Sequence, residues 1–88
     1  MDKKTFTRIS KTLADPRRYE ILRKIAACEK LSCVALKKRI PVTAATLSHH
    51  LKELNDAQLV EIERKGKFAH LQLRRAVWDA YRKELSKL

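Results

Sequence analysis

Apolar positions along the chain change period twice, and the changes divide it into elements. Phe6, Ile9 and Leu13 stand at helical spacing. Ala14-Asp15-Pro16 closes that segment and offers Asp15 as the cap, and Pro16 as the first residue, of a second helix. Tyr19, Ile21, Leu22, Ile25 and Ala26 then form a broad apolar face, with Arg17, Arg18, Arg23 and Lys24 elsewhere around the helix, so it reads as a core helix. Ser32 can cap a short third helix carrying Ala35, Leu36 and Ile40, which Pro41 ends by forcing Ile40 out of helical geometry. Thr43 can cap a fourth, in which Leu47, Leu51 and Leu54 share one face. Past Asn55-Asp56-Ala57-Gln58 the period falls to two: Leu59 to Arg64 alternates, Lys65-Gly66-Lys67 turns, and Phe68 to Leu73 alternates again. Val77, Tyr81, Leu85 and Leu88 return to helical spacing, with Trp78 beside them.

Two short helices joined by a tight turn and followed by a basic hairpin are the layout of a winged helix-turn-helix. The expected fold is mainly α with a small β-hairpin: four helices, a two-stranded wing and a fifth helix, in one domain over residues 1–88. The helix-turn-helix is expected at about 32–55, the wing at about 59–73, and terminal helices at about 4–14 and 75–87. A single Gly and two Pro leave little room for further loops, and 88 residues with 44% apolar content are too few for two cores or an elaborate pocket. A chain this short buries only about 60–65% of its unfolded surface, which makes a second copy a natural source of further burial. The apolar faces of the terminal helices, Phe6, Ile9 and Leu13 at one end and Trp78, Tyr81 and Leu85 at the other, are the expected homodimer interface.

Charge changes the picture more than composition does. Lys and Arg number 21 against 10 Asp and Glu, a net +11, which calls for a polyanionic partner such as nucleic acid or an anionic membrane surface. No apolar run approaches the roughly 18 residues of a membrane span, and MDKKTFTRIS lacks the apolar middle of a signal peptide, so the expected location is cytoplasmic and the expected partner is double-stranded DNA. From Lys30 through Lys52 there is no Asp or Glu, while Lys30, Lys37, Lys38, Arg39, His49, His50 and Lys52 all fall there. Projected at about 100° per residue, the fourth helix sets Ala45, Thr46, His49, Lys52 and Glu53 opposite its leucines. Thr43, Ala45, Thr46, Ser48, His49 and Lys52 are therefore expected to meet the major groove or its flanking phosphates, with Lys38 from the third helix. Arg64, Lys65 and Lys67 at the wing tip suit backbone or minor-groove contact. His50 lies on the flank of the leucine stripe, as a partly buried spacer or a phosphate donor. A merely solvated face for Lys37, Lys38 and Arg39, and a plain charged hairpin for the wing, stay open.

Other chemistry is thin. His49 and His50 diverge by about 100° and cannot grip one ion together, and no nucleophile–base pairing is visible, so neither metal, cofactor nor catalysis is expected. His70, within a strand, suits a structural hydrogen bond. Cys28 and Cys33 are too few for a disulfide framework and lack CxxC spacing. Each reads first as an inert buried thiol and second as a redox or persulfide sensor, its thiolate favoured by Lys24, Lys30 and Lys37.

Three stretches resemble the ArsR/SmtB family of bacterial winged-helix repressors: LADPRRYEILRKIA at 13–26, TAATLSHHLKELNDAQLVE at 43–61 and RKGKFAHLQL at 64–73. The middle one is similar to the family's Ser-x-x-x-x-Ser-x-His-Leu-x-x-Leu-x-x-Ala-Gly-Leu-Val pattern, with Thr43, Ser48, His50, Leu51, Leu54, Ala57, Leu59 and Val60 in place and Gln58 where Gly is usual. The resemblance implies a homodimer that grips an operator with its fourth helix and wing and represses transcription until an inducer is sensed. It does not supply the inducer. The family's arsenic and lead sensors carry Cys-Val-Cys on the third helix, where this chain has Ser32, Cys33 and Val34. Its zinc and nickel sensors use Asp and His on the last helix, and residues 74–88 hold Asp79 and Glu84 but no His. Its thiol sensors pair a cysteine of the second helix with one on the last, and only Cys28 has a matching place. A winged-helix protein-interaction module and a thiol-switched regulator are the alternatives to a repressor.

Overall fold

The computed structural model describes residues 1–88. The chain runs α1 (Lys3–Leu13), α2 (Pro16–Ala26), β1 (Leu31–Ser32), α3 (Cys33–Arg39), α4 (Ala44–Asp56), β2 (Val60–Lys65), β3 (Phe68–Leu73) and α5 (Arg75–Leu85). Local chemistry sets most of these boundaries. Asp15 accepts hydrogen bonds from the Arg17 and Arg18 amides at 2.9 and 3.1 Å, with Pro16 at the first helical position. Ser32 accepts from the Ala35 amide at 3.0 Å, and Thr43 from the Thr46 amide at 3.1 Å. Ile40, ahead of Pro41, is extended at φ −121°, ψ 121° and ends α3.

The C-terminus of α4 is closed by a Schellman motif. Gln58 takes the left-handed conformation at φ 65°, its amide donates to the Asn55 carbonyl at 2.9 Å, and the Leu59 amide donates to the Leu54 carbonyl at 3.0 Å. Leu54 and Leu59, which the motif brings together, are both fully buried. That turn aims the chain from α4 straight into the wing.

β2 and β3 pair antiparallel from Val60↔Leu73 to Lys65↔Phe68, joined through Gly66 at φ 60°. A third strand not expected from the sequence joins them: β1 pairs with β3 through Leu31↔Leu71 and Ser32↔His70, giving the order β1-β3-β2. Two residues carry no periodicity, and only the paired partner makes them a strand. The core lies between the helices and the inner face of this sheet, formed by Ile21, Leu22 and Ile25 of α2, Leu36 of α3, Leu47, Leu51 and Leu54 of α4, and Val60 and Leu71 of the wing.

Four expectations need correction. Ile9 is fully buried and Tyr81 is 7% exposed within the chain's own core, so neither offers a free face to a second copy. The Phe6 and Tyr81 rings lie 5.1 Å apart, and the Ser10 and Tyr81 hydroxyls share a 2.9 Å hydrogen bond. The terminal helices thus pair first within one chain. Tyr19, expected in the core, is 45% exposed, because α2 buries only Ile21, Leu22 and Ile25. His50 is 7% exposed, so of its two expected roles the buried spacer fits and the phosphate donor does not.

Candidate nucleic-acid interface

The leucine stripe of α4 fixes what faces out. With Leu47, Leu51 and Leu54 packed on the core, Thr43, Ala45, Thr46, His49 and Lys52 are exposed away from the stripe, and Ala44 and Ser48 are exposed on its flank. The first turn is bare of bulky groups, which allows close approach to the edges of bases. Thr43 accepts from the Thr46 amide, and its hydroxyl donates to Thr46 Oγ1 at 2.9 Å. That leaves the Thr46 hydroxyl hydrogen free to donate outward.

Cations flank this face. Lys38 from α3, together with Arg64 and Lys67 from the wing, is exposed and has no carboxylate within salt-bridge distance. Lys37 donates to the Val42 carbonyl at 3.1 Å, tying α3 to the turn. Lys65 pairs with Glu63 at 3.1 Å, and Lys52 with Asp56 at 2.8 Å. The Lys52 ammonium is pushed up by its hydrogen bond to Asp56, and the same bond holds the Asp56 carboxyl down. Both pairs are solvent-exposed and weak, and either lysine can exchange its carboxylate for a phosphate.

Behind the outward face of α4 sits a second set of polar contacts. Arg18 Nε of α2 donates to His50 Nδ1 at 3.3 Å, and Arg18 Nη1 donates to the Thr12 carbonyl at 3.2 Å. The guanidinium always keeps its hydrogens, so this bond requires an unprotonated Nδ1 and places the imidazole hydrogen on Nε2. Burial depresses the His50 pKa, helped by the positive Arg18 and Arg17, while Asp15 opposes the shift without reversing it. His50 is thus a neutral strut between α4 and the α1–α2 junction. Arg8 of α1 adds a second brace, reaching Glu53 of α4 at 3.0 Å.

The expected residues divide accordingly. Lys38, Ser48, Arg64 and Lys67 line one cleft and Lys52 lies in the hollow beside it, Thr43, Ala45, Thr46 and His49 are exposed on α4 and Lys65 on β2, whereas His50 is buried. Sequence reasoning missed the role of Arg18, and it missed a cleft between α3, α4 and the wing that Val34, Lys37 and Phe68 help to line. Cys33 opens into that cleft, while Cys28 lies in a separate surface hollow with Glu29, Lys30 and Arg75. Both thiols are half-buried and free.

Residues 13–63 match the family described as a helix-turn-helix domain. Over 79 residues the chain is 35% identical to the arsenical resistance operon repressor of Staphylococcus xylosus, covering 90% of this chain and 75% of that one. This chain belongs to the ArsR family. As a member of it, the protein is a DNA-binding transcriptional regulator and not an enzyme. The fold agrees: an ArsR-like transcriptional regulator from Rhodococcus superposes with a TM-score of 0.84 at 24% identity, over 96% of this chain and 78% of that one. The homodimeric winged helix-turn-helix domain of a possible ArsR-family regulator from Mycobacterium bovis superposes at 0.78, with 24% identity, over 94% of this chain and 77% of that one. No helix here is long and apolar enough to cross a membrane.

Proposed function

We propose that this ArsR-family member is a sequence-specific repressor that binds a palindromic operator as a homodimer in the cytoplasm. The observation that carries the reading is the outward face of α4, lined by Thr43, Ala45, Thr46, Ser48, His49 and Lys52 and flanked by the unpaired cations Lys38, Arg64 and Lys67. Thr46 and His49 read base edges, Ala45 and the Thr46 methyl meet thymine methyls, and Lys38 and the wing cations meet phosphates. His50 supports this face from behind. Phe6, Leu13 and Trp78 are part-exposed and Leu85 is exposed, leaving apolar surface for a second copy, and the homodimeric neighbour supports pairing of two chains. Repression follows the named role of the Staphylococcus relative.

The arsenical signal of that relative is not carried over. Ser32 holds its hydroxyl on the Ala35 amide and Val34 is exposed carbon, so a cysteine pair on α3 is missing. No group of three or more His, Cys, Asp or Glu gathers in the geometry of a metal site. A second reading, thiol control of DNA binding, is favoured by the position of Cys33 beside Ser48 and Arg64. Unchanged operator affinity of the parent chain under peroxide or polysulfide, or an equal loss in a Cys28→Ser/Cys33→Ser variant, would dismiss it.

The repressor reading is tested by fluorescence anisotropy against the chain's own upstream DNA and a shuffled duplex. A preference of about 10³-fold is expected. Thr46→Ala and His49→Ala should lose that preference while keeping nonspecific affinity, and equal loss on both duplexes would remove their reading role.

A further inference from the structure

Two exposed apolar side chains have no role in the fold or in the proposed DNA contacts: Val34 on α3, 55% exposed, and Phe68 at the start of β3, 54% exposed. They face the same cleft. It runs between α3, the first half of α4 and the wing, with a volume of about 450 Å³ in its outer part, and Leu47 and Ala69 carry the apolar lining inward. A neighbouring hollow, its inner part, shares Cys33, Ser48, Arg64 and Ala69 with it and reaches Leu51 and Ile62. That volume lies within the range of small-molecule sites, which combine apolar walls with a few fixed polar groups.

The charged groups are of one sign. Lys37, Lys38, Arg64 and Lys67 line the outer part and Lys52 the inner, and no Asp or Glu lines either. Lys67 stands 5.7 Å from the Phe68 ring centre, so charge and apolar surface meet at the rim itself. A phosphate alone would use the cations and leave Val34, Phe68 and part of Ala69 wet. A neutral hydrocarbon would cover the carbon and leave the cations without a partner. An amphiphilic anion satisfies both.

We propose that this cleft is an effector site for a free carboxylate with an extended apolar tail, the tail lying along Val34, Leu47, Phe68 and Ala69 and the carboxylate held by Arg64 and the neighbouring lysines. The inference rests on the DNA-binding reading for its consequence. Arg64, Lys67, Lys38 and Ser48 are candidate DNA contacts, so an occupied cleft neutralises cations that phosphates would use and releases the duplex.

The test uses decanoate as the probe and decanol as its neutral counterpart, on the full chain labelled for amide NMR. Decanoate should shift the Val34, Ala44, Phe68 and Ala69 amides saturably with a Kd of about 0.1–1 mM, and decanol should bind at least tenfold more weakly. Val34→Ser/Phe68→Ser should weaken decanoate at least fivefold while leaving DNA affinity within twofold. In a parallel anisotropy titration, decanoate should displace operator DNA from the parent chain and not from that variant. Decanol binding as well as decanoate, shifts confined to other regions, or undiminished decanoate binding by the double variant would each overturn the site. Saturable shifts at the cleft in a chain that binds no duplex specifically would uphold the carboxylate site and refute the repressor reading. Failure of the one is therefore distinct from failure of the other.

Discussion

Replacing His50 tests whether the reading face is held from behind. The imidazole is almost wholly buried on the flank of α4, and its Nδ1 is the acceptor for Arg18 Nε at 3.3 Å. In His50→Ala that hydrogen bond to a charged donor is lost together with the packing of the ring. Arg18 is half-buried and regains water, which places the polar loss near the low end of about 1.5–3 kcal/mol. With the packing lost as well, a total of about 2 kcal/mol is expected, lowering Tm by roughly 8–16 °C in a domain of this size. His50→Gln, whose amide oxygen can replace Nδ1, should recover about half. The pH dependence separates this from a plain cavity. Burial holds the folded pKa of His50 below its ordinary 6.5, so below that pH the unfolded chain takes up the proton first. Stability from neutral His50 is complete above about pH 6.5 and is lost as pH falls through the folded value. Asp15, lowered chiefly by the Arg18 amide, acts in a separate window: its contribution is present above its ordinary 3.8 and is lost in more acid solution. Urea unfolding at pH 7 and 5 should show the parent chain losing more stability than His50→Gln. Parallel losses, or a cost of His50→Ala below about 0.5 kcal/mol, would refute the strut.

Three further outcomes follow from other parts of the molecule. Gln58→Gly relieves a left-handed residue at the end of α4 and should stabilise the fold by about 0.5–1 kcal/mol in thermal unfolding, whereas no change would mean the Schellman turn carries no strain. Leu54→Ala removes a fully buried side chain between α4 and the wing, and should cost about 2–4 kcal/mol in urea unfolding. Lys65→Ala should weaken binding to all duplexes alike and reduce the slope of log affinity against log salt by about one, and an unchanged slope would clear Lys65 of phosphate contact.

Where a feature depends on side chains a few residues apart, the sequence displays it. Asp15, Ser32 and Thr43 cap helices by reaching amides two or three residues ahead, and the wing announces itself by its period of two. The leucine stripe likewise fixes the outward position of Thr46 and His49. What depends on a distant partner is hidden. β1 exists only because Leu31 and Ser32 meet Leu71 and His70. His50 and Ser48 stand on opposite flanks of the same stripe, and one is buried because Arg18 and the α1–α2 junction lie on its side, while the other opens to the wing cleft. Phe6, Ile9 and Tyr81 show the same limit: helical spacing marks an apolar face, but not whether its partner is the chain's own α5 or a second copy. The cleft between α3, α4 and the wing is assembled from three separate segments, and no single segment displays it.

In the proposed complex two copies of this chain read one palindromic sequence through α4 and the wing. Selection from a library of random duplexes at near-physiological salt, with the recovered sites sequenced, tests it most directly. The expected result is enrichment of a two-fold symmetric site with half-site centres about one helical turn apart, lost when Thr46 and His49 are both alanine. Recovery of duplexes with no shared sequence, at an affinity that collapses with salt, would contradict it and leave only the attraction of a +11 chain for a polyanion.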